Sequence, residues 1–142
     1  MIIDTTYLLP LARIKIDKDL LRAIADEKVK LSFEDIRINT ISMFELQAKA
    51  AKLTIPAKFI IEATETIFKA FKIEQFYKPE IIEIANEIRK SIPDYIDCII
   101  LATAILTKEN LITEDSLILS KRERIQREYG IKILTFSELT ER

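Results

Sequence analysis

Residues 93–116 read PDYIDCIILATAILTKENLITEDS, and the rest of the chain is organised around them. The run Ile96–Leu106 predicts a helix that is apolar almost all round, which is typical of a buried helix. A turn, the short strand Leu111–Thr113 and then Asp115 follow. The helix carries Asp97 in its first turns, and an unpaired buried carboxylate is too costly to keep. Because the chain has no histidine and few basic residues lie nearby, we expect a cation from outside to pair with this carboxylate.

Three scarcities restrict the chemistry available to this chain. It has no histidine, one cysteine (Cys98) and one glycine (Gly130). The first two exclude catalysis by a histidine-activated serine or cysteine, imidazole metal sites and a structural zinc site. A single glycine excludes the glycine-rich loops that cradle phosphates. Any catalysis therefore depends on carboxylates, hydroxyls, Lys or Arg, and carboxylate ligands suit Mg²⁺ or Mn²⁺.

Length and composition predict one globular domain over residues 1–142. The chain is 49% apolar and 32% charged, which is typical of a folded domain with a sizeable core. No apolar run is long enough to span a membrane, and the first residues lack the features of a signal peptide. One cysteine cannot form an internal disulfide, so we expect a cytoplasmic protein. The net charge of −1 gives no overall basic field, and the rich use of Ile, Lys and Glu resembles thermophile composition.

Strand and helix signals alternate from end to end, which predicts an α/β fold with a central parallel sheet of four to five strands and helices on both faces. The predicted strands are Met1–Ile3, Ile36–Ile41, Ile73–Tyr77, Leu111–Thr113 and Ile131–Leu134. A turn or short helix is predicted over Tyr7–Ala12. The other predicted helices are one capped by Asp17 or Asp19 and ending near Lys28, Ser42–Leu53, a helix from Pro56 to Phe71, one from Pro79, the helix over Ile96–Leu106, Leu117–Tyr129 and one from Ser137. Lys30–Asp35 is expected to be a loop, and Gly130 is expected to end its helix with a positive φ.

Four acids are predicted to meet at one edge of this sheet, because the functional crevice of an open α/β sheet lies at the carboxyl ends of its strands. Asp4, Glu45, Asp97 and Asp115 come from four separate segments that reach this edge. Crowded carboxylates repel unless cations sit among them. Each acid also has an ordinary alternative role. Asp4 can be a plain exposed acid, and Glu45 can close a capping box with Ser42. Asp97 can be an acid near a helix N-terminus that the helix dipole stabilises, and Asp115 can cap the next helix.

In their order and spacing, these segments resemble the motifs of PIN domains. The residues concerned are Ile2–Thr6 (IIDTT), Ile41–Leu46 (ISMFEL), Asp97–Ala104 (DCIILATA) and Leu111–Asp115 (LITED). By length, the chain is most similar to VapC-type toxins and other small archaeal PIN proteins. It departs from the family pattern in lacking an aromatic residue shortly after the fourth acid, and residues 28–35 do not match the typical helical hairpin.

The resemblance implies a metal-dependent endoribonuclease that hydrolyses RNA phosphodiester bonds by a metal-activated water. The four acids would then be catalytic residues that hold one or two Mg²⁺ or Mn²⁺ ions, while Thr113 and Thr5 would orient an acid or a water. It further implies an RNA substrate, an antitoxin partner if the protein is the toxin of a toxin–antitoxin pair, and a homodimer.

Candidate contacts to the RNA backbone are Lys49, Lys52 and Arg122, because phosphate binding uses basic side chains. The alternative is that these residues form ordinary solvated helix faces. The aromatic residues mostly fall on apolar helix faces, which predicts core positions rather than stacking platforms for bases.

The residues around Asp4 also bear on functions other than a nuclease. A phosphotransfer domain with Asp4 as nucleophile needs a second acid two residues later, where this chain has Thr6. A non-catalytic PIN-like module that binds RNA or protein, and an RNA-processing nuclease without an antitoxin, stay open as alternatives.

Overall fold

The first strand shows why the chain forms a sheet covered on both sides. Ile2 and Ile3 are both buried, although successive side chains of a strand point to opposite faces of a sheet. Such a strand belongs in the middle of a sheet with helices on both faces. The structure, a computed structural model that describes residues 1–140, places it at the centre of a five-stranded parallel sheet. The predicted fold class is confirmed, while residues 141–142 of the predicted domain lie outside the described part.

Over residues 1–140, five short strands alternate with α-helices and two 3₁₀ helices. The strands are β1 (Ile2–Ile3), β2 (Arg37–Asn39), β3 (Lys72–Glu74), β4 (Leu111–Ile112) and β5 (Ile133–Leu134). The α-helices are α1 (Leu20–Ala25), α2 (Thr40–Lys52), α3 (Ala57–Ala70), α4 (Pro79–Ile88), α5 (Tyr95–Thr107), α6 (Ser116–Ser120), α7 (Arg122–Tyr129) and α8 (Phe136–Thr140). The 3₁₀ helices are Thr5–Ala12 and Phe33–Asp35.

The strand order creates a crevice at the centre of the sheet. The order is β3-β2-β1-β4-β5, and every neighbouring pair is parallel. The chain first builds outward from β1 to β3 and then crosses back to place β4 on the other side of β1. In such sheets the switch in direction opens a crevice beyond the carboxyl ends of the two central strands. The residues that follow β1 and β4 therefore flank this crevice.

Two hydrophobic cores lie on opposite faces of the sheet. Ile3 and Ile112 belong to the core that also contains the first 3₁₀ helix and helices α1, α2 and α3. Ile2 and Leu111 belong to the second core, which contains α4, α5 and α7. Helix α5 packs against α4 and also contacts α2, β1 and β2. This central position explains why its sequence is apolar on nearly every side.

Several predicted boundaries are corrected by the structure. Strand β2 ends at Asn39, and α2 begins at Thr40, so the strand predicted to reach Ile41 is too long. The predicted helix Leu117–Tyr129 is two helices, α6 and α7, that meet at Lys121. The segment predicted as a loop, Lys30–Asp35, contains a short 3₁₀ helix with a capping box formed by Ser32 and Asp35. Of the two acids predicted to cap α1, Asp19 does so.

A network of ion pairs links the amino ends of β1, β2 and β4 to the last residue of β3. The N-terminal ammonium of Met1 pairs with Glu109, and Arg37 Nε donates a hydrogen bond of 2.8 Å to the same carboxylate. Arg37 also pairs with Glu74 at 3.4 Å, and Lys78 pairs with Glu74 at 3.2 Å. The donors hold the pKa of Glu109 below its usual value, although burial alone would raise that pKa. Both acids of this network, Glu109 and Glu74, therefore have basic partners.

No helix within residues 1–140 is both long and apolar enough to cross a membrane.

Gly130 provides a test of the backbone at the end of α7. Its φ is +76°, and no atom lies within 4 Å of the position that a Cβ would take. Gly130→Ala should therefore lower the free energy of unfolding by about 1 kcal/mol through backbone strain alone, without a steric clash. Chemical denaturation with urea measures this difference. Gly130→Asn is the control, since Asn tolerates the left-handed region and should cost clearly less than Ala; equal losses for both would contradict the prediction.

Candidate active site

Asp4 follows the central strand β1 and is held by two hydrogen bonds. The Thr5 amide donates to Asp4 Oδ1 at 2.7 Å, and Thr113 Oγ1 donates to Asp4 Oδ2 at 2.9 Å. Burial of the carboxyl raises its pKa above the usual value, and these two hydrogen bonds oppose that rise. The charge of Glu45 raises the pKa further, while the charge of Lys49 lowers it. The carboxylate therefore lies partly buried, oriented by its neighbours and within the electrostatic reach of a second acid.

Thr113 joins Asp4 to the fourth acid. Its hydroxyl donates to Asp4 and accepts a 3.1 Å hydrogen bond from the Asp115 amide. Asp115 caps α6, because its Oδ1 accepts a 2.9 Å hydrogen bond from the amide of Ile118. The alternative role of Asp115 as a helix cap is thus confirmed for one of its carboxylate oxygens. This hydrogen bond fixes the side chain at the edge of the sheet. One threonine consequently sets the relative placement of two acids from the two central strands.

Asp97 lies in the first turn of α5 among other acids. Burial is the main reason that its pKa is raised to about 7. The charges of Asp94, Asp4, Asp115 and Glu45 raise it further, in that order. Four carboxylates from other positions therefore act on this one, and no basic side chain is among the main influences on it. The residue that caps α5 is Asp94, whose Oδ1 accepts hydrogen bonds from the amides of Ile96 and Asp97 at 2.9 and 3.2 Å.

Glu45 lies in the second turn of α2, one turn later than predicted. The predicted capping box with Ser42 is wrong, because Asn39 caps the helix and Ile41 N donates to Asn39 Oδ1 at 2.8 Å. The partly buried Glu45 side chain is therefore not needed to cap the helix. Its charge acts on both Asp4 and Asp97. The role of all four acids as metal ligands stays a prediction.

Asn39 also ties the helix of Glu45 to the helix of Asp97. Its Nδ2 donates a 2.8 Å hydrogen bond to Thr103 Oγ1, and both residues are buried. A buried polar pair of this kind is costly to break, because the Asn39 amide nitrogen would lose its hydrogen-bond acceptor away from water. The pair therefore fixes the N-terminus of α2 against α5.

The donor atoms at this edge are chemically suited to a hard divalent cation. They are carboxylate oxygens, and Mg²⁺ and Mn²⁺ prefer oxygen ligands. Thr5 Oγ1, beside Asp4, and Ser42 Oγ, one turn before Glu45, are buried without a hydrogen-bond partner within residues 1–140. No group of three or more Asp, Glu or Cys side chains in this part of the chain is already spaced to hold a metal ion. The donor chemistry thus fits such an ion, while the acid side chains would have to move closer together to bind it.

The candidate RNA contacts are unequal in their surroundings. Lys49 is exposed one turn after Glu45, and its charge reaches Asp4. Lys52 is exposed in the last turn of α2. Arg122 donates a 2.7 Å hydrogen bond to Glu138 and is thereby held in an ion pair. Their contact with RNA remains a prediction.

The prediction that aromatic residues lie in the core is wrong for several of them. The exposed ones include Phe44, Phe68, Phe76, Tyr77 and Tyr95. A concavity of about 550 Å³ beside the edge strand β3 is lined in part by Phe68, Ile73 and Tyr77. It does not include any of the four acids, so the candidate site is an open edge of the sheet rather than this concavity.

Comparison with known proteins identifies the family. The family model of the PIN domain matches residues 1–125, and the chain therefore belongs to the PIN domain family. PIN domains are generally nucleases, and PIN nucleases generally use divalent metal ions. No protein with a curated description matches the sequence at a significant level.

Solved structures share the fold at low sequence identity. A toxin–antitoxin complex from Klebsiella pneumoniae matches with 23% identity, a TM-score of 0.57 and coverage of 81% of this chain and 86% of that chain. FitAcB from Neisseria gonorrhoeae matches with 20% identity, a TM-score of 0.65 and coverage of 97% and 99%. VapBC2 from Rickettsia felis, bound to a DNA fragment from their promoter, matches with 15% identity, a TM-score of 0.63 and coverage of 94% and 96%. At these sequence identities, the structural similarity supports the fold of this chain and nothing more specific.

Three residues around the acids were not singled out from the sequence. Asp94 and Asn39 each precede a helix and could have been found as N-caps, because Asp and Asn are favoured there. Glu114 lies between Thr113 and Asp115 and accepts hydrogen bonds from Tyr7, Lys18 and Phe136. No sequence pattern signals these long-range partners.

The electrostatics of Asp97 predict how the metal-free protein responds to pH. Because its pKa is raised to about 7 in the folded state, the unfolded chain gives up this proton first as the pH rises. Asp97 therefore destabilises the fold progressively from about pH 4 to pH 7, and fully above pH 7. In EDTA, Asp97→Asn should raise the free energy of unfolding at pH 8 by about 1–2 kcal/mol, a value reduced for solvent screening of the half-buried carboxylate.

Urea denaturation at pH 5, 6, 7 and 8 measures this difference. The gain from Asp97→Asn should shrink toward pH 5, because the wild-type carboxyl is then protonated in the folded state. Glu65→Gln, on an exposed position of α3, is the control and should follow the wild type at each pH. A difference between Asp97→Asn and wild type that does not change with pH would contradict the electrostatic explanation.

Proposed function

We propose that this protein is a metal-dependent endoribonuclease that hydrolyses RNA phosphodiester bonds, with Asp4, Glu45, Asp97 and Asp115 holding Mg²⁺ or Mn²⁺. The observation that carries the proposal is electrostatic. Carboxylates from four separate elements act on one another at the carboxyl edge of the sheet, and Asp97 lacks a basic partner among the main influences on its pKa. Membership of a family that generally consists of nucleases supports the same reading.

A divalent ion bound among these acids would activate a water molecule and neutralise charge that develops on the phosphate. The residues of the chain have separate tasks in this proposal. Asp4 stays oriented because Thr113 and the Thr5 amide donate to its two oxygens. The cation would hold Asp97 ionised and offset the burial and the neighbouring acids that raise its pKa in the metal-free protein. Side-chain rotations that bring the carboxylates together are required, because no three are already spaced for a metal ion within residues 1–140.

The RNA backbone would lie along the exposed side of α2. Lys49 and Lys52 are both exposed on this helix, which also carries Glu45. Ammonium groups at this spacing can follow a phosphate chain toward the acids. Arg122 is a weaker candidate, because binding a phosphate would require it to leave Glu138.

A toxin is the form of this function that we favour. Solved structures of similar fold include a toxin–antitoxin complex and VapBC2, which supports a partner antitoxin that covers the acid edge. We include a homodimer and a cytoplasmic location in the proposal, the latter because the single thiol suits a reducing compartment. An RNA-processing nuclease without an antitoxin and a non-catalytic PIN-like binding module are the alternatives that the experiments must separate.

Metal binding should appear first as a gain in stability. At an Mn²⁺ concentration 100 times its Kd, the wild type should be stabilised by about 2.7 kcal/mol, and its Tm should rise by about 5–10 °C. Asp4→Asn and Asp97→Asn should lose most of this rise and at least 100-fold in RNA cleavage rate, as expected for metal ligands. Thermal denaturation with and without Mn²⁺, and cleavage of a labelled RNA oligonucleotide, measure both effects.

Asp26→Asn is the matched control, because it removes an acid of an exposed ion pair with Arg22. It should keep the full response to Mn²⁺ and full cleavage. A wild type that shows neither an Mn²⁺-dependent Tm nor cleavage would refute the nuclease proposal. Stabilisation by Mn²⁺ without cleavage of any RNA would instead favour the non-catalytic module.

The toxin form makes a separate prediction about expression. Induction of the wild type should arrest growth, and Asp4→Asn should not. A small gene directly beside this one should encode a protein that relieves the arrest when both are expressed together. Growth curves of the single and paired expression strains test this. Cleavage in vitro without growth arrest, and with no such neighbouring gene, would favour the RNA-processing alternative.

A further inference from the structure

Glu114 lies between two residues of the candidate site but is bonded to a different part of the molecule. Its carboxylate accepts hydrogen bonds from Tyr7 Oη at 2.7 Å, Lys18 Nζ at 2.6 Å and the amide of Phe136 at 2.8 Å. These donors come from the first 3₁₀ helix, the segment before α1 and the start of α8. Three elements distant in sequence therefore converge on one side chain.

The direction of the Glu114 side chain follows from its place in the chain. Thr113 donates to Asp4, and Asp115 N donates to Thr113. Successive residues of an extended segment point to opposite sides. Glu114 accordingly contacts Tyr7, which belongs to the hydrophobic core on the α1–α3 face, and the amide of Phe136, whose side chain packs against that core. Glu114 thus fixes the Thr113–Asp115 segment from the face of the sheet opposite to the two site residues.

Glu114 has a basic partner, whereas the four acids form no ion pair within residues 1–140. Lys18 supplies an opposite charge, and Tyr7 and the Phe136 amide supply two further donors. These donors hold the pKa of Glu114 below its usual value although burial alone would raise it. Tyr7 is fully buried, and its hydroxyl has this acceptor inside the protein. Because Lys18 already balances its charge, Glu114 is suited to hold structure rather than to bind a metal ion.

We propose that Glu114 is a positioning residue of the acid site: its three hydrogen bonds lock the Thr113–Asp115 segment, and thereby set where Asp115 and the Thr113 hydroxyl stand relative to Asp4. The proposal rests on the proposed function, since it assigns this carboxylate a role in metal binding by the same site. Tyr7 and Lys18 act with it as the donors that hold it.

The first test is the change Glu114→Gln. The amide keeps the shape of the side chain, but its nitrogen would face Lys18 or Tyr7 as a second donor. We expect the Kd for Mn²⁺ to rise about tenfold, which is the lower end of the usual effect of removing a group that orients metal ligands. The kcat for a labelled RNA oligonucleotide should fall, while its KM stays unchanged. Titration of Mn²⁺ followed by electron paramagnetic resonance gives the Kd without reference to activity.

Two further variants separate positioning from charge. Tyr7→Phe removes one hydrogen bond without changing any charge, and we expect the Kd for Mn²⁺ to rise about threefold. Lys18→Met removes a positive charge from an exposed position, so a pure charge effect would make Mn²⁺ bind more tightly. Positioning predicts the opposite result, weaker binding, because the Glu114 carboxylate loses the partner that orients it. Lys18 is half exposed, so this variant tests the proposal even if a change at Glu114 prevents folding.

Glu109→Gln is the matched control. The Glu109 and Glu114 side chains are similarly exposed, at 20% and 25%, and both form ion pairs. Glu109, however, lies at the amino edge of the sheet, where it pairs with Arg37. Its change to Gln should lower the Tm by a similar amount but leave the Kd for Mn²⁺ and the kcat unchanged.

The outcomes separate this proposal from the one on which it rests. If the wild type binds Mn²⁺ and cleaves RNA, but Glu114→Gln and Tyr7→Phe differ from it only in Tm, Glu114 is merely structural and the positioning role is overturned. Tighter Mn²⁺ binding by Lys18→Met also overturns it in favour of a charge effect. If the wild type neither binds Mn²⁺ nor cleaves RNA, the nuclease proposal itself fails, and the positioning role fails with it.

Discussion

The hydrogen bond from Thr113 to Asp4 joins the carboxyl ends of the two central strands, and the candidate site depends on it. Burial of Asp4 opposes its ionised form, and the donors Thr113 and Thr5 offset part of that cost. The same hydroxyl accepts the amide of Asp115. A small change at this one side chain would therefore move two acids at once, which is why the network behind the segment matters to the site.

The acids around the sheet differ in whether they have basic partners. Glu109, before β4, and Glu74, the last residue of β3, have basic partners in Arg37, Lys78 and the N-terminal ammonium group. At the carboxyl edge, acids act on one another and raise the pKa of Asp97. The net charge of −1 conceals this separation. Local placement of charge, rather than its total, distinguishes the edge that can attract a divalent cation.

The sequence predicts the features that depend on local patterns or on a single strong rule. The alternation of strands and helices, the buried helix α5 and the positive φ of Gly130 are confirmed. The predicted capping box at Ser42 is wrong because Asn39 caps α2 by accepting the Ile41 amide. Asn39 also forms a buried hydrogen bond with Thr103, a partner 64 residues away. The role of Glu114 is not visible in the sequence for the same reason, since Tyr7 and Lys18 lie 107 and 96 residues from it. Local patterns show which residues end a strand or cap a helix, and they do not show which distant side chains will meet.

The crossing of the chain from β3 back to β4 has a consequence for synthesis. Thr113 follows Asp4 by 109 residues, and β4 pairs with β1 only after the chain has passed through β2, β3 and their helices. Contacts between such distant segments form late, because loop closure must precede them. A nascent chain that has not yet reached β4 contains Asp4, Glu45 and Asp97, but it lacks the hydroxyl that orients the first of them. The arrangement of the acid edge therefore cannot form before β4 has been synthesised, and shorter nascent chains do not have it.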